Sequence, residues 1–251
     1  IMDGLATQCG MVSSGGFNSD AQNYFDQLSA AGSSISANNQ IAVNDLVIGL
    51  KSASLWDSIE GLGLLAGPDD VTGALIPLKG PATTPVNVSA AVFNRTTGIL
   101  GGSSRYLNTG YNTSLAPFTA TNIHLAAYTT TGGLGCPIGD SLQRNGVYFR
   151  TDGTFTYAQS NLSVNLGVYY NQGAMFAGVS RNSNSGHTWR IKGSTGFVNR
   201  FAFLQSRILY VLSDSAQQYP FNGRVAVYSF GTNLDLSLLE PLYETYVNNI
   251  I

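Results

Sequence analysis

The sequence predicts a mainly β protein: an antiparallel β-sandwich preceded by a short helical region and closed by one helix. Three observations predict it. From Thr72 onward, short apolar or alternating runs recur with turn clusters between them and no helical period, which marks antiparallel sheets rather than a parallel α/β core. The run 225–230 (Val-Ala-Val-Tyr-Ser-Phe) is apolar or small on both alternating faces, so it reads as a strand covered on both sides. After Gly231-Thr232-Asn233 the period changes from two to 3.6. Leu238, Leu239, Leu242, Tyr243, Tyr246, Val247 and Ile250 then fall on one stripe, and such a helix needs a sheet to lie on.

Taken in order, residues 1–18 are small and aperiodic, an arm or linker. Residues 19–71 form a small helical region. Ser19 caps a helix over 20–31 that turns Ala21, Tyr24, Phe25 and Leu28 inward. Ser36 starts a second, with Ile41, Val43, Leu46, Val47 and Leu50 inward, and 54–61 makes a third, carrying Leu55, Trp56 and Ile59. The sandwich with its closing helix occupies 72–251. Strands are expected at 74–78, 86–93, 104–107, 123–129, 146–150, 154–157, 166–170, 174–180, 187–192 and 208–212, ahead of 225–230. The 174–180 and 187–192 runs pair as a hairpin. His187, Trp189 and Ile191 share one face of its second strand, Thr188, Arg190 and Lys192 the other. Ser237 and Glu240 have capping-box spacing, and Pro241 fits only a helix that has barely begun.

Composition narrows the function. Charged residues are 10% of the chain, against about a quarter in ordinary domains. The net charge of −2 offers no basic face, so nucleic acid is not an expected partner. No apolar run approaches the ~18 residues of a membrane span, so membrane insertion is not expected either. Cys9 and Cys136 are expected as two buried thiols, with one disulfide as the alternative.

Catalysis is poorly provided for. Gly139-Asp140-Ser141-Leu142 spells the nucleophile block of the GDSL hydrolases, but the only later histidine is His187, and Asn184 stands where that chemistry needs an acid. A glycosidase needs two carboxylates flanking the bond. Between Thr72 and Phe230 the acids are Asp140, Asp152 and Asp214, each expected in a turn. His124 and His187 lack ligand-spaced neighbours, and Asp69-Asp70 reads as a cap or turn. No catalytic residue, metal or cofactor is therefore expected. Aromatic residues beside polar ones can grip sugars. The glycan candidates are Tyr106, Tyr111 and Asn112, in an expected loop over 106–112, and Arg190. Trp189, in phase with Ile191, reads as core.

Several blocks together resemble a known family. They are Phe93-Asn94-Arg95-Thr96-Thr97-Gly98-Ile99-Leu100-Gly101-Gly102-Ser103-Ser104-Arg105-Tyr106-Leu107, the His-bearing Asn122-Ile123-His124-Leu125, and Ala177-Gly178-Val179-Ser180-Arg181. Upstream stand Asp45-Leu46-Val47-Ile48-Gly49-Leu50-Lys51 and Leu55-Trp56-Asp57-Ser58-Ile59, and 221–231 with the closing helix completes the set. This resembles the concanavalin A-like (LamG-like) domain of bacteriophage structural proteins such as tail fibres, spikes and head-decoration proteins. The resemblance implies a jelly-roll sandwich on the virion exterior, non-enzymatic, with identical copies and other virion proteins as partners. Relatives of this architecture often bind glycans, sometimes through Ca²⁺. The chain lacks an acidic cluster for that ion, so no family ligand residue is carried over. Three functions follow as expectations. The first is a virion structural component, the second a carbohydrate-binding adhesin that recognises a host surface glycan, and the third, remote, a serine hydrolase at Ser141.

Overall fold

A layer of helices, a large antiparallel sheet and a second sheet stack in three tiers. The computed structural model describes residues 16–112, 117, 119, 121–140, 145–149, 154–159, 162–169, 173–183, 185–199, 208–213 and 219–250. The helices are α1 (Ser19–Ala30), α2 (Ala37–Ser52), the single-turn α3 (Val71–Ala74) and α4 (Leu236–Asn249). The first strands are β1 (Ile59–Leu64), β2 (Pro77–Lys79), β3 (Thr84–Val86), β4 (Phe93–Asn94), β5 (Gly98–Leu100) and β6 (Tyr106–Asn112). Next come β7 (Ile123–Thr131), β8 (Gly135–Asp140), β9 (Asn145–Phe149), β10 (Thr154–Gln159) and β11 (Leu162–Tyr169). The chain closes with β12 (Met175–Arg181), β13 (Gly186–Ile191), β14 (Ser194–Asn199), β15 (Ile208–Val211) and β16 (Arg224–Gly231).

Among the described residues, nine strands form one sheet in the order β14-β13-β12-β7-β16-β1-β2, with β5 also on β16 and β4 on β5. Seven form the other, β11-β10-β9-β8-β15-β6-β3. The strand pairs are antiparallel throughout. The predicted sandwich is the observed one.

Two cores explain the two-sided burial of β16. Leu107, Leu125, Ile138, Val179, Leu209, Val211, Val225 and Phe230 pack between the sheets. Tyr24, Leu28, Val43, Leu46 and Leu50 of the helices, with Leu239, Tyr243 and Tyr246 of α4, pack on the other face of the large sheet against Ala126, Phe176 and Val227. From Val225 to Gly231 every residue is buried, and so is every residue of β12. Strands in the middle tier have no solvent face, which is why they read as continuous apolar runs. Trp189 packs at the margin of the inter-sheet core, as its phase predicted.

Several local expectations are corrected. The third helix over 54–61 is a 3-10 turn at Trp56–Ser58 followed by β1, which enters the large sheet between β16 and β2. Gly61 and Gly63 of β1 lie opposite Phe230 and Tyr228, and a Cβ at either would collide with those rings. Asn18, not Ser19, caps α1, its Oδ1 accepting from the Asp20 N–H at 3.1 Å. Ser36 caps α2 as expected, but Ile41 faces solvent at 42% exposure. The α2 C-terminus closes with Leu55 N–H donating to Leu50 O and Ser54 N–H to Lys51 O, a Schellman motif with Ser54 (φ 58°) in the left-handed position glycine usually takes.

The 74–78 run spans the last residue of α3, which Asp70 caps as its doublet suggested, and the start of β2 at Pro77. The 86–93 run splits between β3, a 3-10 turn and β4. Residues 106–112, expected as a loop, are β6. Asp140, expected in a turn, ends β8 fully buried. Asp235 caps α4 in place of Ser237, which puts Pro241 in the second turn. Leu238 is 46% exposed. Cys136 is buried, while Cys9, the arm up to residue 15, Ser141, Asp152 and Asp214 lie outside the described residues.

Candidate ligand-binding groove

The β13–β14 hairpin and α4 are the two walls of a groove. Ile191 pairs with Ser194, so the hairpin turns on two residues, Lys192 (φ 45°) and Gly193 (φ 80°). Positive φ at both central positions is the type I′ geometry that matches strand twist. The wall opposite is built by Glu240. Its side chain is not half of a capping box: one oxygen receives Arg190 Nε–H and the other the Gly193 N–H at 2.8 Å. Arg190 Nη1 also donates to Thr195 Oγ1 at 2.8 Å. Glu240 is only 6% exposed, so its charge needs both donors. The clamp joins residues fifty positions apart and holds the hairpin at a set distance from the helix.

Between these walls lies a groove of about 320 Å³. Tyr128, Met175 and Phe176 lie buried beneath it, Pro241 supplies exposed apolar surface, and Lys192, Ser237 and Glu244 are exposed along its rim. Burial pushes the Tyr128 phenol up, with the Glu244 and Glu240 carboxylates adding to it, so its hydroxyl stays protonated. A concave, partly apolar hollow with a few convergent polar groups is the ordinary form of a small-molecule site.

The structure disperses the four residues named from sequence. Arg190 alone lines the groove, tied to Glu240. Tyr106 lies on the other sheet. Leu107 and Val211 face the inter-sheet core, so Tyr106 and Tyr210 take the opposite face, where their rings meet edge-on at 5.5 Å. Tyr111 is half-buried rather than outward: it shares the inward face of β6 with Leu107 and Thr109, and its ring packs against Phe230 at 4.7 Å, its hydroxyl donating to Glu60 O at 3.3 Å. Asn112 ends β6 half-buried, in register with Ile208.

Sequence reading also passed over a smaller hollow of about 270 Å³ lined by Lys51, Ser54, Trp56 and Asp57. There the Lys51 and Lys79 ammonium groups lie 5.6 and 5.0 Å from the Trp56 ring centre. Lys192 and Glu244 of the main groove were missed because neither has a motif around it. The one available signal was the turn geometry at Lys192-Gly193. Among the described residues, no three His, Cys, Asp or Glu side chains converge as a metal site would require. His187 is pushed down to about 3 by burial and by the Arg181 charge, and it sits on β13 of the large sheet, whereas Asp140 ends a strand of the other.

No protein-family model matches the chain, and no curated protein matches it. The fold is similar to solved structures of binding domains. One is the botulinum neurotoxin serotype D/C binding domain, with TM-score 0.51 and 11% identity over 76% of this chain and 52% of that one. Another is the binding domain of botulinum neurotoxin DC in complex with SialylT, at 0.50 and 12% over 76% and 51%. A third is a receptor binding domain, at 0.50 and 14% over 79% and 53%. The chain spans about half the length of these structures. The class defined by the fold is an antiparallel β-sandwich with helices packed on one face.

Proposed function

We propose that the chain is a non-enzymatic carbohydrate-binding module, an adhesin that grips a glycan on a host surface. The observation that carries this reading is the groove between the β13–β14 hairpin and α4, a preset hollow with apolar surface inside and polar groups along its rim. The similar solved structures support it: they are binding domains, one of them in complex with SialylT. The setting we propose is the exterior of a phage particle, with identical copies and other virion proteins as partners. The sequence blocks around residues 93–107, 122–125 and 177–181 support that setting.

A glycan array and binding to host envelope preparations test the reading. The expected result is saturable binding to a restricted glycan set, competed by the free saccharide; silence in both assays overturns it. A serine-directed covalent probe is expected to leave Ser141 unlabelled, and labelling there would restore the hydrolase expectation. Locating the chain on an intact particle by density mapping tests the setting.

A further inference from the structure

Resting on the carbohydrate-binding reading, we infer that the groove takes an uncharged, polyhydroxylated saccharide rather than an acidic or a basic one. Four charged side chains line it, two of each sign: Arg190, Lys192, Glu240 and Glu244. Arg190 and Glu240 answer each other, and Glu240's second oxygen is taken by the Gly193 N–H. That pair presents no net charge to a ligand and holds the walls in place. Lys192 and Glu244 are exposed and have no ion-pair partner among the described residues. They stand on opposite walls, one on the hairpin turn and the other on the helix, a turn beyond Glu240.

This pairing decides the ligand class. A carboxylate on a sugar gains from Lys192 but is repelled by Glu244 in the same groove, and a cationic sugar meets the reverse, so attraction and repulsion oppose each other. A hydroxyl both donates and accepts, so neighbouring hydroxyls on one ring satisfy the Glu244 oxygens and the Lys192 ammonium together. The protonated Tyr128 hydroxyl adds a neutral donor and acceptor to the same lining. Pro241, exposed on the α4 wall, takes the C–H face of the ring. The volume of about 320 Å³ lies at the small end of the ~300–1,000 Å³ range of small-molecule sites, which favours a short saccharide over an extended chain.

The test is calorimetric titration of the full chain with neutral, sialylated and amino-sugar oligosaccharides, repeated on Lys192→Ala, Glu244→Ala and the exchange Lys192→Glu/Glu244→Lys. Both replaced side chains are exposed, so folding is left intact, which circular dichroism checks. The neutral saccharide is expected to bind best. Each alanine variant is expected to weaken it roughly tenfold, from loss of one charge-assisted hydrogen bond, and the exchange is expected to recover most of that loss. Glu244→Ala is expected to bring the sialylated ligand closer to the neutral one. Preference for an acidic or a basic ligand, or neutral binding untouched by both alanine variants, overturns this inference and leaves the carbohydrate-binding reading standing. No binding to any saccharide overturns that reading instead.

Discussion

Glu240 illustrates how a residue's role depends on what lies across from it. Its spacing from Ser237 is that of a capping box, yet Asp235 takes the cap and Glu240 reaches the hairpin. Removing it leaves Arg190 half-buried without its anion and the Gly193 N–H without its acceptor. Glu240→Ala is expected to lower stability by about 2–3 kcal/mol, below the range for fully buried pairs because Arg190 keeps some solvent. Urea unfolding checks it; an unchanged midpoint would show that the clamp is ornamental. Ser54 makes the opposite case. It occupies the left-handed position at the end of α2, so Ser54→Gly is expected to raise stability by about 0.5–1 kcal/mol in the same assay.

His124 makes folding sensitive to acid. It is fully buried, its Nδ1–H donating to Thr232 O at 2.6 Å and its Nε2 accepting from the Ser229 hydroxyl at 3.3 Å. Burial pushes its pKa down to about 4, against about 6.5 in the unfolded chain. Between those values the unfolded chain binds more protons than the folded one, so stability falls as pH drops through that window. The expected loss from this residue is roughly 3 kcal/mol, complete near pH 4, and His187 acts in the same direction. Unfolding midpoints measured from about pH 7 down to about pH 4 check it. A flat profile would show that neither imidazole is buried neutral.

At the scale of elements, β1 is the strand most hidden from sequence reading. Leu55, Trp56 and Ile59 sit at helical spacing, and Gly61 and Gly63 weaken any strand pattern. Those glycines are what the strand needs, because the Phe230 and Tyr228 rings of β16 lie over them. Gly63→Ala is expected to cost about 2–3 kcal/mol by forcing the Tyr228 ring aside. Thermal unfolding with near-ultraviolet circular dichroism as the probe tests both the loss and the ring movement. β8 and β14 were hidden for a related reason. Gly135, Pro137 and Gly139 look like turn residues in isolation, and so do Gly193 and Gly196 around Ser194-Thr195, where Lys192-Gly193 alone makes the turn.

For the whole molecule, the middle tier is the organising fact. The large sheet is apolar on both faces because helices cover one and the second sheet the other. Deleting residues 234–250 uncovers the face under Leu239, Tyr243 and Tyr246, and the truncated chain is expected to bind a hydrophobic dye and aggregate. Retention of cooperative unfolding would show that α4 only decorates the sheet. The groove belongs to this scale too, since it exists only where α4 meets the edge of the large sheet.

The sandwich, the two-sided closing strand and the sheet-facing helix were legible in the chain. They depend on period and turn chemistry, which neighbouring residues set among themselves. Folding in three dimensions decided that β1 is a strand, that Tyr111 meets Phe230, that Glu240 answers Arg190, and that Lys192 and Glu244 line one hollow. Each of those depends on partners dozens of residues away, and no local pattern records which distant side chain will arrive opposite.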